Sequence, residues 1–357
     1  MKYDKLIVLL KNAAYSPVNL ALRNVKPSSL KPRGVVFEVT NACNSKCRHC
    51  NIWRNRIPRN ILTVEEIKNV FSDELFSDLK DIIVTGGEPT LRNDLEDVLL
   101  TISKVLPKTN IWLSTNGILP KRVLEVVKYA LENHIKIGIG VSLDGVGKEH
   151  DLIRRVPGNF EKIDYLLHEL VKLKKKYKKL VITIGFTISE FTVNSLKDVA
   201  EYSKKFDIDF LPQMYELASY YGHKKDKHNL NKKIIDNMTK TIESTPSTIQ
   251  NEILLHALKG GCLKFPCFAL HTFCLLRADG NIAPCLKLAH VSAGNVRDYP
   301  PHVIWNSIDA KKIRSCVKNC KGCLYTWGVG WSFEAGSVQF VLQNIPLFIK
   351  ILKEEFL

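Results

Sequence analysis

The sequence predicts an α/β protein: a partial barrel of six β/α units followed by a small cysteine-rich extension. Three observations predict it. Between Val35 and Met214, short apolar runs alternate with amphipathic stretches. The runs are almost continuously apolar, as in Leu180-Val181-Ile182-Thr183-Ile184, which suits parallel strands covered by helices. Beyond the last unit, seven cysteines crowd between Cys262 and Cys323.

Taken in order, residues 1–32 read as an amphipathic lead-in helix and linker. Leu6, Leu9, Leu10 and Ala13 fall at helical spacing, and Pro17, Pro27 and Pro32 break the chain after them. Residues 33–258 form the core. Strands are expected at 35–40, 81–85, 110–115, 135–143, 180–187 and 208–214, with helices near 64–78, 94–106, 120–133, 159–178 and 194–205. The first helix opens on Thr63-Val64-Glu65-Glu66, a capping box. Further helical stretches read at 234–242 and 248–258. Residues 259–330 are the cysteine-rich extension. Residues 331–357 are a tail whose Leu342, Ile345, Phe348, Ile349 and Leu352 sit near helical spacing.

Composition narrows the function classes. The 357 residues suffice for one large domain and a smaller one, and at 45% hydrophobic they can build a sizeable core. No apolar run approaches the roughly 18 residues of a membrane span. The short run Leu6–Leu10 has no cleavage site after it, so a cytoplasmic protein is expected. Ten cysteines then point to thiolate–metal binding rather than disulfides. The net charge of +16 admits nucleic acid or an anionic membrane surface as partner. Solvated lysine faces, such as Lys172 to Lys179, account for it more simply.

The chemistry centres on Cys43, Cys47 and Cys50, spaced C-x3-C-x2-C directly after the first strand. Thiolates are soft ligands for iron–sulfur clusters and zinc. Three ligands rather than four leave one metal corner open for chemistry. A zinc site or a redox thiol pair is the alternative reading of these residues. In α/β barrels, functional residues gather at the C-terminal strand ends. There the sequence places Gly86-Gly87-Glu88 after strand two, Ser114-Thr115-Asn116-Gly117 after strand three and Ser142-Leu143-Asp144-Gly145 after strand four. His150-Asp151-Leu152-Ile153-Arg154 follows, with Gly158 and Phe160 beyond it. Strand ends Phe186-Thr187 and Gln213-Met214-Tyr215-Glu216 are candidates by position, although Met214 and Tyr215 suit the core equally.

This set, in this order, resembles the radical S-adenosylmethionine (radical SAM) enzymes over about residues 33–327. The resemblance implies a partial TIM-like (β/α)6 barrel and a [4Fe-4S] cluster on Cys43, Cys47 and Cys50, with SAM on the fourth iron. It implies SAM contacts from Gly86, Gly87, Glu88, Ser114, Asn116, Ser142, Asp144 and Arg154. Asp144 has the alternative role of shaping its turn, and Arg154 would hold the SAM carboxylate with its planar fork.

In the second cysteine field, Cys267 and Cys285 flank the turn signal Ala278-Asp279-Gly280-Asn281, and Cys320 and Cys323 form a C-x2-C pair. Val303-Ile304-Trp305-Asn306 opens a short amphipathic helix between them. The field resembles the SPASM and Twitch extensions of radical SAM enzymes, which bind auxiliary [4Fe-4S] clusters. Nothing like the full SPASM cysteine set follows Cys323, which implies one auxiliary cluster. Its expected ligands are Cys267, Cys285, Cys320 and Cys323. Cys316 is the rival ligand, Cys274 reads as a small core residue, and Cys262 is a weaker candidate. Zinc is again the alternative, since C-x2-C pairs also build zinc ribbons.

The implied function is reductive cleavage of SAM to a 5′-deoxyadenosyl radical that abstracts hydrogen from a substrate. That is an oxidoreductase-type reaction supplied by a ferredoxin or flavodoxin-like electron donor. The substrate is expected to be a peptide, a protein or a small molecule. An envelope- or lipid-modifying enzyme, peripheral at the membrane, is a second reading, drawn from the two amphipathic termini and the basic charge. A non-catalytic iron–sulfur or zinc regulator that binds nucleic acid is a third, with the charge as its only support.

Overall fold

The computed structural model describes residues 15–54, 60–215, 219–221, 232–244, 254–256, 258–259, 266–320, 328, 330–332 and 334–336. The lead-in positions Leu6 to Ala13, most of the helix expected at 248–258, Glu216, Cys262, Cys323 and the tail from Val341 lie outside them.

The six expected strands form in the expected places: β1 (Gly34–Thr40), β2 (Asp81–Gly86), β3 (Asn110–Thr115), β4 (Ile137–Ser142), β5 (Val181–Ile188) and β6 (Asp209–Met214). Each pairs in parallel with the next. β1 is buried along its whole length, as its apolar run requires. Pro212 is tolerated because β6 is an edge strand of the described sheet, with β5 as its sole neighbour there. The extension adds β7 (Phe273–Leu276), β8 (Asn281–Ala283) and β9 (Gly294–Asn295). The sheet order is β6-β5-β4-β3-β2-β1-β7-β8-β9, so β1 pairs with β7 and not with β6. The barrel is open, and its sheet runs on into the extension. Glu38 on β1, buried, pairs with Arg277 after β7 at 3.3 Å and ties the two regions together.

Residues 15–25 are helical (α1). Pro17 therefore stands inside a helix rather than breaking the chain, and the break comes at Pro27, which opens a 3-10 turn. α2 (Val64–Phe71) carries the capping box in full, with Thr63 and Glu66 each bonding the other's backbone. It stops well short of the expected residue 78. Asp73 accepts from the Leu75 N–H and caps a separate 3-10 turn, Glu74–Phe76. α3 (Leu95–Val105) and α4 (Pro120–Glu132) match expectation. α5 (Lys148–Arg154) is too short for hydrophobic periodicity to betray it. α6 (Asn159–Lys176), α7 (Leu196–Lys205) and α8 (Lys232–Glu243) follow, the last where a helical stretch reads at 234–242. α9 (Pro301–Asn306) and α10 (Ile308–Lys318) replace the single short helix read after Val303, split where Ser307 caps α10 by accepting from the Ala310 N–H.

Candidate active site

The chain leaves β1 at Thr40 and curls through Asn41 to Cys50 over the C-terminal ends of the strands. Backbone bonds pin this loop along its course. The N–H groups of Gly87 and Glu88 donate to the carbonyls of Thr40 and Ala42, each at 2.8 Å. Arg48 N–H donates to Ile153 on α5, and Asn51 N–H donates to Tyr221, each at 2.9 Å. The need for two glycines after β2 follows from this contact. A Cβ on Gly86 would lie 1.9 Å from the Thr40 carbonyl oxygen, and one on Gly87 would lie 2.1 Å from that of Ala42. The space beside their missing side chains is occupied by the cysteine loop itself.

One cavity of about 210 Å³ opens over the loop. It gathers Cys43, Cys47 and Cys50 with Gly86, Gly87, Glu88, Ser114, Asn116, Ser142 and Arg154. Glu88 is buried, and its carboxylate is taken up by the protein. Oε1 accepts from the Thr90 and Thr115 hydroxyls at 2.7 and 2.9 Å, and Oε2 accepts from the Asn116 N–H at 2.7 Å. Burial raises its pKa, and these donors oppose the rise. Glu88 therefore braces the turns after β2 and β3. Asn116 in turn donates to Asn44 Oδ1 in the cysteine loop at 2.8 Å.

Asp144 does not line the cavity. It lies beneath it, with no solvent exposure, 2.7 Å from Arg154 Nε and 3.5 Å from His49 Nε2, and its Oδ1 accepts from the Thr187 N–H at 2.9 Å. Burial works to raise the carboxyl, yet Arg154 and then His49 hold it below its ordinary value. The Arg154 guanidinium, correspondingly locked in its charged form, also reaches Cys47 Sγ at 3.6 Å. Ser45 bridges the same cysteine, 3.0 Å from its sulfur, to the Arg154 carbonyl. Behind Asp144, the buried His150 accepts from its N–H at 3.1 Å. Burial drives the His150 pKa down to about 4, so the ring is neutral.

The donor set fits a thiolate-held metal group. Burial pushes the Cys43 thiol up to about 11 and Cys50 up to about 12, so ionised sulfurs here need a metal's own positive charge. Cys43, Cys47 and Cys50 line one cavity, and three soft thiolate donors are the ligand type that holds a four-iron cluster.

In the extension, Cys267 precedes the bridge at Ala269 and its carbonyl accepts from Arg23 Nε at 3.1 Å. Cys285 follows β8 and lies within electrostatic reach of Cys320, which is exposed at the end of α10. Cys323 lies outside the described residues. Cys274 faces Val35 across the β7–β1 pair and is buried, in keeping with a core residue. Cys316 is exposed on α10.

Sequence reasoning missed part of the cavity wall. Tyr220 and Tyr221 line it from a 3-10 turn between β6 and α8, and Leu286 lines it from the extension. His49 stood inside the cysteine motif with no role assigned, yet it faces Asp144 on one side and packs edge-on to Tyr215 on the other. An aromatic pair in an otherwise lysine-rich segment was the available signal for Tyr220 and Tyr221.

Comparison with known proteins agrees with this geometry. Residues 37–202 match the family model of the radical SAM superfamily, and residues 267–324 match SPASM, an iron–sulfur cluster-binding domain. The AdoMet-dependent heme synthase of Methanosarcina barkeri is 26% identical over 79% of this chain and 85% of its own length. A probable GTP 3',8-cyclase of Methanococcus aeolicus is 30% identical over 55% of this chain and 66% of its own length. One from Methanococcus maripaludis is 28% identical over 53% and 62%. The chain thus spans less than two thirds of these cyclases. Among solved structures, SuiB of Streptococcus suis bound to S-adenosylmethionine has a TM-score of 0.62 at 17% identity, covering 86% of this chain and 72% of its own. The enzyme anSMEcpe with bound AdoMet has a TM-score of 0.60 at 20% identity, covering 89% and 98%. These two likenesses show the fold. The chain thus carries a radical SAM domain over residues 37–202 and a SPASM iron–sulfur cluster-binding domain over residues 267–324.

Proposed function

We propose that Cys43, Cys47 and Cys50 hold the SAM-binding cluster, that the strand-end residues hold SAM, and that the substrate is a peptide or protein segment. One observation carries this reading. One cavity is lined both by the cysteines with the polar turns after β2 to β4 and by an apolar and aromatic set, Phe186, Met214, Tyr215, Tyr220 and Leu286. When bound, the cluster and SAM supply a 5′-deoxyadenosyl radical able to take a hydrogen atom from a substrate. This chain's residues position and enclose. Arg154, fixed by Asp144, presents a guanidinium suited to the SAM carboxylate. Gly86, Gly87, Ser114, Asn116 and Ser142 line the SAM side, with Glu88 bracing it. The aromatic wall takes the substrate and excludes water from the radical. Cys267, Cys285, Cys320 and Cys323 hold one auxiliary [4Fe-4S] cluster, and a ferredoxin or flavodoxin-like protein supplies electrons.

Two solved structures of similar fold are peptide complexes: SuiB bound to precursor peptide SuiA, and anSMEcpe with bound AdoMet and the Cp18Cys peptide. A small-molecule substrate is the second reading, favoured by the heme synthase match across most of both chains. The test is release of 5′-deoxyadenosine by anaerobically reconstituted, dithionite-reduced protein given separated cell extracts. A peptide fraction that raises release above the substrate-free rate, and loses this effect after protease treatment, supports the proposal. Stimulation by the small-molecule fraction alone contradicts it and favours the second reading.

A further inference from the structure

Arg23 lies on α1, outside both cysteine fields, yet it is only 6% exposed. Its Nε donates to the Cys267 carbonyl at 3.1 Å, and its guanidinium lies 5.5 Å from the centre of the Phe268 ring. Its Nη2 is buried with no hydrogen-bond partner. Among the described residues, no carboxylate pairs with it. The surroundings sharpen the anomaly. Arg314 on α10, 2% exposed, donates to the Leu270 and Trp305 carbonyls at 2.6 and 2.8 Å and also keeps a buried Nη2 without a partner. His271 is buried within electrostatic reach of both arginines, and its Nδ1 is 2.9 Å from the Ala269 carbonyl. Burial lowers its pKa to about 3, and the two arginines push it the same way, so it stays neutral. Two buried cations with orphaned donors thus converge on the Cys267–Cys274 segment with no acid to meet them among the described residues. A buried cation without a counter-charge is costly, and removal of its partner is strongly destabilising.

We propose that Arg23 is the charge partner of the auxiliary cluster, raising its reduction potential and docking the N-terminal helix on the loaded extension. This rests on the reading that Cys267 is a ligand of that cluster. A four-iron cluster on four thiolates is a net anion and gains a further negative charge on reduction. A nearby cation favours the reduced form, and its loss makes the potential more negative. Arg23 acts through its charge and its spare N–H rather than as a ligand, in the manner of outer groups that tune metal sites. The helix follows. Asn19 on α1 donates to the Ala335 carbonyl at 3.2 Å, and Leu20 and Leu22 pack against the core. Through the Arg23 bond to Cys267, α1 is seated on the extension, which gives the lead-in segment a role at the cluster.

The test uses the full chain carrying Cys43→Ala, Cys47→Ala and Cys50→Ala, reconstituted anaerobically so that only the auxiliary cluster is loaded. In an EPR-monitored redox titration, Arg23→Gln keeps the iron content of its parent and has a more negative midpoint potential. Arg23→Lys, which keeps the charge, restores the potential to near that of the parent. Coincident potentials for Arg23→Gln and its parent overturn the proposal, because a purely structural arginine changes stability without moving the potential. Should Arg23→Gln not fold, hydrogen exchange on the parent decides. Slower exchange in residues 15–25 with the cluster loaded than after chelation supports the proposal, and equal exchange overturns it. Cys267→Ala tests the underlying reading separately. Loss of the auxiliary iron sustains that reading whatever Arg23 does, whereas full retention of iron removes both.

Discussion

The two cysteine fields are built in opposite ways. Cys43, Cys47 and Cys50 sit on one loop, are at least half-buried, and are held by backbone bonds to β2, α5 and the turn at Tyr221. Cys267, Cys285 and Cys320 come from a strand approach, a hairpin exit and a helix end, and Cys320 is exposed. The first field has a buried ion pair beneath it, Asp144 with Arg154. The second has buried cations beside it, Arg23 and Arg314, with no carboxylate paired to either among the described residues. A loop whose framework satisfies its own charges can be preformed before any cofactor arrives. A field whose cations lack counter-charges is completed by what it binds. The contrast predicts that the barrel site keeps its shape without metal, and that the extension depends on metal for order.

The heaviest loss is expected in the preformed half. Asp144→Ala leaves Arg154 buried without its counter-charge and costs about 3–5 kcal/mol of stability. Denaturant unfolding of metal-free protein measures this, and a loss below about 1 kcal/mol undoes the contrast, because the pair would then be idle without cofactor. A lesser loss comes from Gly87→Ala, whose Cβ would meet the Ala42 carbonyl oxygen at 2.1 Å. Displacing the loop costs about 1–3 kcal/mol. It lowers iron at the first site while the auxiliary iron stays, and iron analysis in the single variant and in the Cys43→Ala background separates the two. The mildest change lies on the seam between the regions. Glu66 at the start of α2 pairs with Arg297 beside β9 and accepts from the Thr63 N–H, so its ionised form is the one that bonds. The Arg297 bond and then the Thr63 cap hold its carboxyl down to about 2 against burial. A depressed carboxyl stabilises above its unfolded pKa near 4.5 and loses that contribution as pH falls toward about 2. The pair is solvent-screened, so Glu66→Gln costs at most about 1 kcal/mol at neutral pH. In acid the difference from the parent vanishes, and unfolding curves recorded across that pH range check it.

Legibility in the sequence followed the same division. The strands announced themselves because the central ones are covered on both faces, and a short, continuous apolar run is at home inside a covered sheet. The first cysteine field was legible because its residues are neighbours in sequence. Asp144 was legible as a motif member but not as the anchor of Arg154, since burial beneath a cavity has no local signature. Tyr220 and Tyr221 were hidden because their contacts are tertiary: the Tyr221 carbonyl accepts from Asn51, and the Tyr220 N–H donates to the Leu286 carbonyl at 3.3 Å. The break of α2 at Ser72–Asp73 was missed for a local reason, an Asp side chain that caps a new turn where periodicity alone continued. Arg23 was invisible because nothing in a lead-in helix indicates which far segment it will meet.

On the proposed reading, the two clusters differ in a corner kept for SAM at one and closed by thiolate at the other. EPR of the dithionite-reduced, anaerobically reconstituted protein, recorded with and without SAM, puts this to the proof. SAM is expected to alter the signal of the parent. The Cys43→Ala, Cys47→Ala, Cys50→Ala variant is expected to retain about four irons and to give a signal indifferent to SAM. A SAM-sensitive signal in that variant, or a parent whose signal ignores SAM, contradicts the assignment of the open corner to the first cysteine loop.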